Sequence, residues 1–390
     1  MAVSEKIKSM MEQSSWIRKM FETGTVLKKQ HGEENVFDFS LGNPTLKPPA
    51  AFLENLAKIA AAEIFGKHGY MPNAGYTETR QKVAEFISAE HEISFPWQNC
   101  IMTCGAGGAL NIILKTVINP GDKVLVSKPC FMEYKFYADN HQGILEIADC
   151  KENFDLDIED LESRIDQKTA AIIINSPNNP TGKIYPESTI KALAAMLDRK
   201  SREIGRAIYL ISDEPYKKIV YDNAKVPSVL KVYKNGIIAT SFSKDLSIPG
   251  ERIGWLAINP EADSADALVN GATLCNRILG YVNAPALMQR AVAEVLNETA
   301  DIGFYKKNRD LLCEGLADLG YEFNKPEGAF YLFPKAPGGD DIAFTDKLQK
   351  ELTLTVPGSG FACPGYFRIA YCVDPSVIKK SMPCFARALK

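Results

Sequence analysis

The chain has 390 residues, 46% of them hydrophobic, and a formal net charge of -3. That length provides for two or three domains around a large core, and the near-neutral charge offers no broad basic face for nucleic acid or an anionic membrane. The polar stretch from Met1 to Gln13 lacks the apolar centre of a signal segment, and no run reaches the ~18 to 20 apolar residues that span a bilayer, so a cytoplasmic protein acting on small molecules is expected.

Nine cysteines are scattered along the chain without a C-x-x-C pair, which predicts reduced thiols. The four histidines, at positions 31, 68, 91 and 141, stand at no ligand spacing from Cys100 and Cys104, so no metal site is expected.

In chain order, the amphipathic segment from Ser4 to Lys29 is expected to pack either on a second domain or on another subunit. Short apolar runs then alternate with helical patterns. The strand candidates are Ile101 to Thr103, Lys123 to Val126, Ala170 to Ile174, Ala207 to Ile211, Ile237 to Ser241 and Ile253 to Ile258. Helices are predicted from Ala106 to Val117 and from Ser188 to Ile204. This alternation predicts an α/β fold with a mainly parallel sheet buried on both faces. From about Met288 onward the pattern changes to a smaller α+β unit, with helices near 288–319 and 341–351 and strands around Glu322, Ala329 to Phe333 and Phe367 to Tyr371.

Ligands of α/β sheets collect at the carboxyl ends of the strands, so the residues just past each run carry the chemistry. After the first comes Gly105-Ala106-Gly107-Gly108 opening a helix, whose free amides suit a phosphate; it lacks the G-x-G-x-x-G and G-K-[ST] patterns of nucleotide sites. After the second comes Phe131, either a core ring or one that stacks on a flat heterocycle. After the third, Asn175 to Gly182 forms a turn rich in amide side chains.

The fourth run leads to Asp213 and Tyr216. A carboxylate at a buried strand end needs a cation, which a protonated pyridine nitrogen would supply; capping of a following helix is the plainer alternative. The fifth run ends in Ser241-Phe242-Ser243-Lys244, with Arg252 eight residues on. A lysine amine condenses with an aldehyde, while hydroxyls and an arginine hold a phosphate, which together describe pyridoxal phosphate. Taken alone, the same residues also read as a buried strand followed by a solvated lysine.

With these motifs in order, the chain resembles the class I and II aminotransferases among the fold-type I pyridoxal phosphate enzymes. The landmarks are Leu41-Gly42-Asn43-Pro44, Gly69 to Gly75, Gly105-Ala106-Gly107, Asn178 to Gly182, Asp213-Glu214-Pro215-Tyr216, Ser241 to Lys244, Gly328 to Tyr331 and Phe367-Arg368-Ile369. The resemblance implies a large cofactor domain over 47–287 and a small domain from 1–46 together with 288–390. It implies that Lys244 carries pyridoxal 5'-phosphate as a Schiff base, that Asp213 holds the pyridinium proton, and that Tyr216 and Asn179 bond the ring oxygen. Phe131 would stack on the ring, and Ala106, Gly107, Ser241, Ser243 and Arg252 would bind the phosphate. Tyr70 would reach the phosphate of a neighbouring subunit, which implies a homodimer, and Arg368 would grip the substrate α-carboxylate with help from Gly42 and Asn179.

The implied reaction moves the α-amino group of an L-amino acid to a 2-oxo acid, with 2-oxoglutarate the expected acceptor. Aspartate, aromatic and alanine-type donors stay open. Arg277, Arg18 and Lys128 are loose candidates for reading a second carboxylate. One aspartate-specific branch carries a lysine at the position of Gly107, and Glu251 replaces a commonly apolar residue; both departures weigh against aspartate specificity. A carbon-sulfur β-lyase built on the same Lys244 and Asp213 is the alternative activity.

Overall fold

Apolar runs that alternate with helices bury both of their faces when the strands share one sheet and the helices cover it. The computed structural model of the protein describes residues 3–12 and 16–390. Among them twelve strands follow in chain order: β1 (Phe37–Asp38), β2 (Cys100–Thr103), β3 (Lys123–Ser127), β4 (Ile144–Ala148), β5 (Thr169–Asn175), β6 (Tyr209–Asp213), β7 (Gly236–Ser241), β8 (Gly254–Ile258), β9 (Tyr331–Leu332), β10 (Thr353–Leu354), β11 (Val356–Pro357) and β12 (Phe367–Ala370).

Seven of these form one sheet in the order β2-β8-β7-β6-β5-β3-β4. Its neighbours pair in parallel except at β8, which runs against both β2 and β7. Every residue of β5 is buried. Its alternate side chains feed two cores: Ile172 and Ile174 meet Val83, Leu193 and Leu197, while Ala171 and Ile173 meet Leu110, Ile113 and Ala272. The helices Thr77–His91 and Glu187–Ile204 therefore cover one face, and Gly105–Val117 and Ala265–Ile278 the other. Each such aliphatic side chain removed from water contributes about 1.5–3 kcal/mol.

A second unit gathers the antiparallel sheet β11-β12-β9 and the parallel pair β1-β10. The helices Ile302–Asp318, Asp341–Lys350 and Pro375–Ala388 close over it, and its core joins Phe39 from early in the chain to Leu312, Phe330, Phe344, Ile369 and Phe385. The helix Trp16–His31 packs here within the same chain: Met20 lies with Phe333, Val356 and Phe361, and Lys28 pairs with Asp38 at 2.8 Å. The side chain of Arg18 lies outside the described residues.

The six strand runs read from the sequence are all present, with ends displaced by one or two residues. No strand forms at Glu322, where the carbonyl accepts a single backbone bond from Lys335 and Pro326 interrupts the donors that follow. The edge strand β4 escaped the periodicity because Ile144 is exposed and the next three residues are only half buried. The strands β1, β10 and β11 have two residues each, too few for any period, and the terminal helix carries Pro383 inside it.

Among the described residues, no helix is long and apolar enough to cross a membrane, and no three His, Cys, Asp or Glu side chains gather as a metal site.

Gly254 fixes how closely the sheet approaches the helix that starts at Gly105. A Cβ there would stand 2.2 Å from the carbonyl oxygen of Thr240 and 3.0 Å from Cα of Gly105. Gly254→Ala should lower stability by about 1–3 kcal/mol, as overpacking does, and is read as an earlier chemical unfolding midpoint.

Candidate active site

The loops that leave the sheet at one edge converge on a cavity of ≈ 300 Å³. Asp213 is the last residue of β6, Asn175 the last of β5, and Ser241 the last of β7, with Ser243 and Lys244 following. Because β8 runs backwards, its leading end lies at the same edge and brings Arg252 there. The helix Gly105–Val117 starts at this edge after β2, with Gly105 at φ 72°. A Cβ on Gly105 would come within 3.1 Å of the Arg252 guanidinium, so the glycine lets that cation lie against the helix N-terminus.

Twelve of the thirteen residues singled out from the sequence line this cavity: Gly42, Ala106, Gly107, Phe131, Asn179, Asp213, Tyr216, Ser241, Ser243, Lys244, Arg252 and Arg368. The thirteenth, Tyr70, does not line it in the single chain and is 93% exposed. Among the other lining residues, Leu110, Tyr134, Tyr137 and Tyr331 had no site role in the sequence reading. Tyr331 stood inside the quoted Gly-Ala-Phe-Tyr landmark without a role. Tyr134 and Tyr137 follow Phe131 at three-residue intervals, a spacing that places Tyr134 beside it.

The hydrogen bonds leave distinct vacancies of function. Tyr134 donates to Asp213 Oδ2 at 2.6 Å, and Asp213 Oδ1 is buried without a hydrogen-bond partner. Lys244 Nζ donates to the carbonyl of Gly42 at 2.6 Å. Arg368 donates to Asn179 Oδ1 at 3.0 Å and to the carbonyl of Ser40 at 2.5 Å, leaving its Nε unpaired. The Tyr216 and Tyr331 hydroxyls share a hydrogen bond of 2.8 Å, and the Tyr331 hydroxyl fills the space that a Cβ on Gly42 would need.

Burial shifts the titrating groups. Burial pushes Asp213 up to about 7, opposed by the Tyr134 bond and reinforced by the neighbouring Glu214. Burial brings Lys244 down to about 8, and the positive charges of Arg368 and Arg252 act in the same direction. Burial also lowers Arg368. A buried carboxylate aimed at a cavity and a lysine made partly neutral are the conditions for a cationic ring nitrogen and for carbonyl condensation.

The sequence model of the family described as Aminotransferase class I and II matches residues 34–382. The chain belongs to this family. A probable aspartate aminotransferase from Methanocaldococcus jannaschii is 32% identical over 94% of this chain and 95% of its own. Aromatic-amino-acid aminotransferase 2 from Thermococcus litoralis is 30% identical over 100% and 99%. Among solved structures, an amino transferase from Eubacterium rectale superposes with a TM-score of 0.96 at 42% identity, covering 100% of this chain and 98% of that one.

As a class I and II aminotransferase, the chain is a transaminase whose cofactor is pyridoxal phosphate. The residues present fit that group: the orphaned Asp213 Oδ1 suits a pyridinium, and the helix N-terminus beside Arg252 suits a phosphate. Of the loose candidates for a second carboxylate, Lys128 is paired with Asp149, and Arg277 is exposed near the end of the helix Ala265–Ile278.

The lowered Lys244 predicts how the apoprotein takes up its cofactor. The neutral amine is the reactive form, so the rate of pyridoxal phosphate capture should rise with pH through about 8 and level off above it, followed by stopped-flow absorbance. A rate that does not change from pH 6 to 10 would contradict this.

Proposed function

We propose that the enzyme transfers the α-amino group of an aspartate-, aromatic- or alanine-type L-amino acid to a 2-oxo acid, with 2-oxoglutarate as acceptor. The observation that carries the substrate reading is Arg368: a buried guanidinium whose hydrogen bonds go to neutral oxygens and whose Nε is unpaired. Such a group binds an α-carboxylate strongly, since the anion replaces no competing charge. Asn179, which accepts from Arg368, and Gly42 line the same cavity. Relatives named for aspartate and for aromatic amino acids support both donor classes, and a Thermus thermophilus aspartate aminotransferase solved with maleate, 27% identical with a TM-score of 0.88 over the full length of both chains, supports a dicarboxylic one.

When bound, pyridoxal phosphate supplies an electron sink for the charge that develops at the substrate Cα. The protein does the rest. Asp213 Oδ1 would hold the proton of the ring nitrogen, Tyr216 and Asn179 would address the ring oxygen, and Phe131 would supply the stacking face. The amides of Ala106 and Gly107, the hydroxyls of Ser241 and Ser243, and Arg252 would hold the phosphate. Lys244 Nζ would take the proton from the substrate Cα and hold it for return, acting first as base and then as acid.

A homodimer with shared sites is part of this reading. It is supported by the exposure of Phe65 and Tyr70 on one loop and of Leu274 and Ile278 on one helix, an apolar surface that a second copy would cover. Tyr70→Phe should then weaken cofactor retention in an intact dimer, measured by equilibrium dialysis alongside sedimentation. A monomer in sedimentation would refute it. Nine free cysteines, seven of them buried, support a reducing cytoplasmic location.

The decisive experiment adds single L-amino acids, without any oxo acid, to the purified holoenzyme and follows its visible absorption. An accepted donor should bleach the band and 2-oxoglutarate should restore it; accumulation of pyruvate and ammonia would indicate the lyase instead. Lys244→Ala should abolish turnover, and Arg368→Ala should raise KM for every donor alike by about 10²-fold, as expected for loss of a buried charge contact. An effect confined to one donor would move Arg368 to the side-chain pocket.

A further inference from the structure

Asp213 presents one oxygen to the cavity, and something must keep the other from doing so. The backbone at this point is fixed, because Asn175 Nδ2 donates to the Asp213 carbonyl at 2.8 Å. The carboxylate itself can still rotate about its side-chain bonds. Tyr134, 2% exposed, donates to Oδ2 at 2.6 Å and stops that rotation with Oδ1 left free.

The same ring has a second contact. Tyr134 is the second residue of the helix Glu133–Asp139, its amide donates to the carbonyl of Phe131 at 3.2 Å, and the two rings meet edge to face at 5.7 Å and 88°. One residue thus touches both a carboxylate and a ring that line the cavity.

We infer that Tyr134 is a positioning residue that commits one oxygen of Asp213, presents the other to the cofactor's ring nitrogen, and sets the tilt of Phe131 against the cofactor. The inference rests on the role proposed above for Asp213. Burial and the adjacent carboxylate keep the Tyr134 phenol protonated across the working range, so it is a permanent donor. Its hydrogen bond favours the ionised carboxylate, and without it Asp213 would bind a proton more tightly. That proton is the one the ring nitrogen needs, so loss of the phenol moves the proton from ring to carboxyl and weakens the electron sink.

The test uses holoenzyme loaded with pyridoxal phosphate labelled with 15N at the ring nitrogen, whose solid-state chemical shift separates protonated from neutral pyridine. Wild type should give the protonated signal. Tyr134→Phe should move it toward the neutral one, with kcat lower by about 10- to 100-fold, the worth of a hydrogen bond to a charged group, and KM within about twofold. Asp213→Asn serves as the reference for a ring that has lost its partner.

If wild type is protonated, Asp213→Asn is neutral and Tyr134→Phe stays fully protonated, the inference is overturned whatever the rate. If wild type and Asp213→Asn give the same neutral signal, the Asp213 role fails instead, and with it the ground for the inference. Should Tyr134→Phe not fold, 3-fluorotyrosine in place of Tyr134, a stronger donor of the same shape, should keep the protonated signal; a move toward neutral would overturn the inference.

Discussion

Three charge-bearing side chains line one cavity, Asp213 and Arg368 buried and Lys244 half-buried, and their hydrogen bonds go to neutral partners: the Tyr134 phenol, the Gly42 carbonyl, Asn179 and the Ser40 carbonyl. A desolvated charge that lacks a counterion costs several kcal/mol. In the function proposed above, the ligands bring the missing charges, a ring cation for Asp213 and a carboxylate for Arg368. The shifts of Asp213 toward about 7 and Lys244 toward about 8 are the same imbalance expressed as proton affinity.

The scaffold serves this arrangement directly. Parallel strands deliver their carboxyl ends to one edge, which accounts for Asp213, Asn175 and the Ser241 to Lys244 segment. Arg252 reaches the edge only because β8 is reversed. Its backbone takes the left-handed region at φ 51°, unusual for a residue other than glycine, and its guanidinium lies where Gly105 has no side chain. The second unit contributes one cation, Arg368 on β12, together with the aromatic wall of Tyr331.

Much of this was legible in the sequence because each strand is a short apolar run and the functional residue lies within a few positions of its end. Asp213 after Tyr209-Leu210-Ile211-Ser212 and Lys244 after the run to Ser241 are cases in point. Tyr134 was legible only as a neighbour of Phe131 three residues before it; its bond to Asp213 spans 79 residues and left no local signal. The same holds for the pairing of Tyr216 with Tyr331, which depends on how the two units dock. Small elements such as β1 and β10 were invisible because two residues carry no period, although they join the start of the chain to the second unit.

The order of these contacts along the chain has a consequence for biosynthesis. The cavity residues assigned to the cofactor, from Ala106 to Arg252, have all been made before the segment that bears Arg368, and Arg368 must then return to Ser40 across 328 residues and to Asn179 across 189. A growing polypeptide therefore carries the complete set of cofactor side chains well before it has anything to hold a substrate. Recognition of an amino acid through Arg368 must await synthesis of that late segment.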